Sequence, residues 1–239
     1  MKKFALLGLI VVITFMFSSP AMAKPKQTPH VQQVIVGDGT MIYACYQKIN
    51  GQLRVVGDLS QCRPSEFPLT LTTPPKPKIV FITSGTFPGD QIGGIADADA
   101  LCNQFATTGG LPGTYKAWIS DDVVGIGPAT TFIHSAVPYV NTVGNVIAND
   151  WIGLTSGVLL NPILYDETGA DLTPATGGPI DVWTGTDPLG NPVPGLTCAG
   201  WSAAGVDGIE GYGNSTNTLW TLGPPLNCAS EAHLYCFEQ

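Results

Sequence analysis

The side chains best equipped for chemistry in this 239-residue chain are its loop carboxylates, its histidines and its tryptophans. His134 and His233 stand in no HExxH or GxSxG pattern and in no spacing that suggests a nucleophile and its base. No enzyme is expected from them. Asp121-Asp122, Asp166-Glu167 and Asp171 are oxygen donors of the kind calcium uses, yet isolated loop acids ordinarily stay solvated. Asp187 and Asn191, in DPLGNP, have two readings that stay open: contacts to a ligand, or turn chemistry, since Asp-Pro and Asn-Pro initiate turns. Trp151, Trp183, Trp201 and Trp220 carry rings that can stack on sugars, although most such rings serve a core, Trp151 and Trp220 above all.

The elements that would position these residues begin with an export signal. MKKFALLGLIVVITFMFSSPAMA has a basic start, an apolar run and a small-residue cleavage site at Ala21-Met22-Ala23. The run is too short for the ~20 apolar residues of a spanning helix. Residues 1–23 are therefore expected to be removed, leaving a secreted protein (extracellular, at the cell surface or periplasmic) that inserts in no membrane. Export makes disulfides of cysteines, and the count of 6 is even with no CxxC among Cys45, Cys62, Cys102, Cys198, Cys228 and Cys236. Spacing alone does not choose the pairs.

Charge narrows the partners. The chain carries 10 Lys and Arg against 18 Asp and Glu, and Lys116 is the last of the basic ones. A surface without cations cannot track phosphates, so nucleic acid is excluded as a partner of the C-terminal half. Hydrophobic residues at 44% suffice for a core, and 29 Gly with 20 Pro imply many turns.

Residues 24–40 read as a flexible lead-in. In 41–72, MIYACYQK and QLRVVG flank Asn50-Gly51, the signature of a β-hairpin with positive φ at both turn positions. Cys45 with Cys62 would close it, worth about 3 kcal/mol in loop-closure entropy. TTPPKPK reads as a stiff linker over 73–78. From Ile79 to Gln239 the pattern is that of one domain. Ile95, Ala98, Cys102 and Phe105 share a helix face, with Asp97 and Asp99 at its start and Gly109-Gly110 at its end. KIVFITSGTF, TYKAWIS, NDWIGLTSG and HLYCFE are strand candidates, the last with Leu234 and Cys236 on one face. Inward Cys102 and inward Cys236 are then natural partners, closing a long loop worth about 5 kcal/mol, and Cys198 is left for Cys228. The Gly/Pro/Asp/Asn-rich stretch 155–197 is too long for an ordinary connection and is expected to face a ligand.

Four features resemble the C-type lectin-like fold and its endostatin-like bacterial relatives. They are Trp151-Ile152-Gly153-Leu154, which looks like that family's WIGL strand; the order of Cys102, Cys198, Cys228 and Cys236; Trp220 ahead of Cys228; and the C-x7-C ending. FITSGTFPGDQIGGIADADALCNQ, GLPGTYKAWISD and LYCFEQ look closer still to exported bacterial domains of this fold whose role is uncharacterised. YACYQKINGQLRVVGDLSQCRPSE resembles a short module of bacterial surface and tail-fibre-like proteins. The resemblance implies an α+β domain over 79–239 with short helices, a small twisted antiparallel sheet and long irregular loops, stapled by nested disulfides. Many members bind glycans through calcium held by a Glu-Pro-Asn loop and an Asn-Asp pair. Here Asp187-Pro188-Leu189 stands at the first position and Thr221-Leu222 at the second, so several oxygen donors are missing. No cofactor or metal is expected. The expected function is a non-enzymatic, secreted adhesion or recognition module that binds a glycan or surface protein through 155–197, with Trp183, Asp187 and Asn191 as contacts. The alternative is a structural component of a bacterial surface assembly.

Overall fold

A computed structural model describes residues 41–72, 75–174 and 177–239. The signal segment 1–23 and the lead-in 24–40 lie outside the described residues. The protein is mixed α/β, mostly sheet with a few short helices, and holds three disulfides. Contacts divide the chain into two compact units between Thr73 and Pro74. Among the described residues no helix is long and apolar enough to cross a membrane.

The first unit is a three-stranded antiparallel sheet of β1 (Met41–Gln47), β2 (Leu53–Val56) and β3 (Glu66–Thr72), in the order β2-β1-β3. A two-stranded hairpin was expected; Pro68 disguises β3, which is tolerated because β3 is an edge strand. The loop also differs. It spans residues 48–52, only Gly51 takes positive φ (69°), and the Asn50 side chain accepts from Gln52 N. Cys45 is bonded to Cys62, and Arg54 reaches across the same sheet to Glu66 at 2.7 Å. In a unit this small the staple and the ion pair replace much of the missing core. The strand registers put Ala44 and Tyr46 beside Val55 and Leu53 on one side and beside Leu69 and Phe67 on the other. That face is wholly apolar, and Leu53, Val55, Phe67 and Leu71 on it are exposed.

The second unit begins with β4 (Lys78–Ile82) and β5 (Phe87–Pro88), followed by helix α1 (Ile95–Thr108) and β6 (Tyr115–Ala117). Then come α2 (Pro128–Thr131), β7 (Tyr139–Asn141), β8 (Val146–Ala148) and α3 (Trp151–Leu154). The remaining strands are β9 (Asp181–Trp183), β10 (Asp207–Tyr212), β11 (Pro225–Asn227) and β12 (Glu231–Glu238). They form a sheet ordered β11-β10-β9-β12-β4-β7-β8, with β5 and β6 also on β12. This corrects the small antiparallel sheet expected: among the described residues it has nine strands, and β12–β9 and β4–β7 are parallel. The terminal strand is central because both its faces are buried. Tyr235 and Phe237 join Val80, Ile82, Trp118 and Trp220 on one side, while Leu234 and Cys236 join Phe81, Trp183 and Trp201 on the other.

Helix α1 lies on that second side through Ala98, Cys102 and Ala106, and Cys102 is bonded to Cys236 across 134 residues. Asn103 fixes the following strand, donating to Tyr115 O and accepting from Tyr115 N. Cys198 is bonded to Cys228. Cys198, Ala199, Gly200 and Trp201 all have left-handed φ (50°, 49°, 75° and 63°), a conformation that costs a non-glycine residue roughly 1–2 kcal/mol. The disulfide, and the Trp201 indole donating to Ser120 O, hold it in place.

Two further expectations are corrected. Trp151–Leu154 is one turn of helix rather than a strand, because extended Asp150 caps it by accepting from Gly153 N at 2.7 Å. Lys76 and Lys78 belong to the second unit rather than to a linker: Lys78 opens β4, and Lys76 pairs with Glu238 at 3.0 Å.

Candidate functional site

Trp183 does not reach a surface, which corrects its expected role as a ligand contact. It is 0% exposed, its indole donates to Phe87 O, and its ring meets Trp201 at 5.7 Å. Much of 155–197 is likewise structural rather than ligand-facing: Leu159, Ile163, Ile180 and Val182 are core, and Glu167 accepts from both the backbone and hydroxyl of Ser84. Burying apolar side chains at those positions outweighs what the Gly/Pro-rich composition suggests.

Asp187 and Asn191 do come together. The Asp187 carboxylate accepts from Leu189 N and Asn191 N at 2.9 and 2.8 Å, and Asn191 Nδ2 approaches its other oxygen at 3.3 Å. Turn chemistry occupies both residues. Leu189 stands exposed at the tip of that turn. The other acids named from the sequence are similarly engaged. Asp121 accepts from Val123 N, Asp122 from Gly195 N and Thr197 Oγ1, Asp166 from Thr168 and Ala170, and Asp171 from Thr173 N. Among the described residues the one group of three potential metal-ligating side chains is Cys45, Cys62 and Glu66, where both sulfurs are in a disulfide.

A concavity of about 320 Å³ lies elsewhere on the second unit, lined by His134, Ser135, Ala136, Asp150, Trp151 and Ile152. Its volume is at the small end of the ~300–1,000 Å³ typical of ligand pockets. His134 lies flat on Trp151, ring centres 4.1 Å apart and planes 5° from parallel. The other contacts of Trp151 are core rings, Trp118 at 5.9 Å and Phe132 at 6.2 Å. Ile152, 79% exposed, projects from the capped turn beside it.

One residue joins this hollow to the Asp187 turn. Ala129 N donates to Gly190 O at 2.9 Å, and Ala129 O lies 3.0 Å from His134 Nε2, which donates to it. Gly190 has φ +87°, and a Cβ there would meet Ala129 N at 2.8 Å, so glycine is required for this approach. A Cβ added at Gly157, three residues past α3, would lie 3.7 Å from Pro188 Cβ. His134, Trp151 and Ile152 and the 187–191 turn therefore belong to one continuous region.

A second cluster lies at the β9–β10 pair. Glu210, Asp181 and Tyr212 stand on these two strands, with His233 on neighbouring β12. Burial, then the charge of Asp181, pushes the Glu210 carboxyl up to about 7. Burial also raises Asp181, with His233 opposing.

Sequence reasoning gave Trp151 to the core, where its contacts with Trp118 and Phe132 place it, gave His134 no role, and did not single out Asp150, Ile152 or Glu210. Nothing local signals that His134 covers Trp151. The helical cap Asp150-x-x-Gly153 was a readable clue that Ile152 points outward. No protein-family model matches the chain, and no curated protein matches it.

Proposed function

We propose that this protein is a secreted, non-enzymatic recognition module whose C-type lectin-like domain, residues 79–239, binds a glycan or a surface protein. The fold reading is supported by the nesting of Cys198–Cys228 within Cys102–Cys236 and by Trp220 ahead of Cys228. One observation carries the functional reading: the His134–Trp151 hollow and the Asp187 turn are joined through Ala129, and exposed Ile152 and Leu189 rise from them. A shallow hollow with an aromatic stack, an aliphatic side chain and the Asp150 carboxylate in its lining suits a saccharide, which presents both apolar faces and hydroxyls. Binding proceeds without a sugar-bridging calcium, because Asp187 already serves its own turn and Leu189, Thr221 and Leu222 bring no carboxylate. Single contacts here contribute only ~1 kcal/mol each, so affinity rests on several contacts or on repeated copies. The test is a glycan array probed with the full chain in calcium and again in chelator. Binding unaffected by chelator supports the reading; binding that chelator abolishes and calcium restores overturns its calcium-free part.

A second reading, a component of a surface assembly, is favoured by the apolar face of the first unit, on which Leu53, Val55, Phe67 and Leu71 are exposed. Light scattering of the full chain tests it. Oligomers that a Val55→Lys/Phe67→Lys variant dissolves would favour assembly, and a concentration-independent monomer would remove it.

A further inference from the structure

Glu210 is 5% exposed, and its Oε2 is buried with no hydrogen-bond partner. Diagonal to it across the β9–β10 pair is Asp181, whose Oδ1 is also buried and unpartnered. Diagonal cross-strand neighbours are roughly 7–8 Å apart, within reach of long side chains. Orphaned buried carboxylate oxygens are costly, and two adjacent ones cannot both stay charged without a counterion.

The surroundings offer little to neutralise them. Tyr212, opposite Asp181 on β10, brings a phenol beside Glu210. His233 on β12 attracts Asp181. The 218–223 segment and β11, which also pack on β10, carry no ionisable side chain. Among the described residues these groups do not converge as three ligands on one point, as a metal ion would require. The occupant that fits is a proton.

We propose that Glu210 and Asp181 form a proton-operated clasp between β9 and β10, closed while Glu210 is a carboxylic acid and loosened when that proton leaves to solvent. β9 runs directly into the 184–197 segment that carries the Asp187 turn, so the clasp sits at that segment's base. Acidification closes the clasp and alkalinisation frees the segment. The upward displacement of the Glu210 carboxyl to about 7 puts this change within a physiological range.

The experiment compares the full chain with Glu210→Gln, which keeps the shape and removes the proton. At pH 8 chymotrypsin should cut the wild type at Leu189 and Leu196 several-fold faster than the variant. The melting temperature of the wild type should fall between pH 5.5 and pH 8 while that of Glu210→Gln stays level. Equal cleavage rates at pH 8, or parallel melting curves, overturn the clasp. Should Glu210→Gln fail to fold, Asp181→Asn serves: it should move the midpoint of the pH-dependent melting downward, and an unmoved midpoint counts against the proposal. Manganese or calcium that raises the wild-type melting temperature at pH 8 but not that of Glu210→Gln would make the occupant a metal ion and overturn the proton.

Discussion

The imidazole of His134 covers the indole of Trp151 at 4.1 Å, so a residue far away in sequence caps the ring that the core leaves uncovered. Trp151 meets Trp118 and Phe132 as well, whereas His134 is exposed and held mainly by this stack and by Ala129 O. Replacing each should therefore have unequal effects. Trp151→Ala is expected to cost about 3 kcal/mol in urea denaturation, and His134→Ala under about 1 kcal/mol. Equal costs would place His134 in the core.

The Cys102–Cys236 bridge closes 134 residues and ties the central strand to α1. Removing it as Cys102→Ala/Cys236→Ala should cost about 5 kcal/mol by loop closure, against about 3–4 for the 30-residue Cys198–Cys228 loop. Denaturant titrations of the two double variants check the order. Peptide mapping of the unreduced chain needs a protease other than trypsin, since no Lys or Arg follows Lys116.

Stability should peak in mildly acid solution. Partial burial works against the Asp122 carboxylate, yet bonds from Thr197 and Gly195 hold it below the usual carboxylate range. Its contribution is present above the unfolded value near ~4 and is lost as pH falls through the folded one. Glu210 has the opposite sign: raised to about 7, its contribution is full below ~4.5 and is lost as pH rises through the folded value. Melting temperatures from pH 2.5 to 8.5 should trace a dome. Asp122→Asn should flatten its acid side alone, and an acid side unchanged in that variant would reassign the effect.

Ala199, exposed with φ 49°, is strained in its left-handed turn. Ala199→Gly should stabilise the protein by about 0.5–1 kcal/mol, the relief of roughly 1–2 kcal/mol being partly offset by the added freedom of glycine in the unfolded chain. Chemical denaturation gives the sign; a loss of stability would contradict the account of strain.

Legibility in the sequence followed locality. Helix α1 was readable because Ile95, Ala98, Cys102 and Phe105 repeat at helical spacing, and β12 because its apolar residues are continuous. Trp151–Leu154 was not, since four residues fit either element and the deciding contact is the Asp150 cap. The parallel pairings of β9 and β7 are non-local and leave no mark on either strand. For the site, Asp187 and Asn191 were identified as a pair, but their neighbour Trp183 was misjudged because alternation along β9 does not say which face is covered. His134 and Trp151 became neighbours only through tertiary packing.

Calorimetric titration of the strongest array oligosaccharide into the wild type and Ile152→Asp tests the recognition face most directly. Ile152 is too exposed for its replacement to alter stability beyond about 0.5 kcal/mol, so folding and binding separate cleanly. The account predicts at least a tenfold loss of affinity, about 1.4 kcal/mol, at an unchanged melting temperature. Wild-type affinity in Ile152→Asp would contradict it, and an array on which the wild type binds no glycan would remove the saccharide from the reading.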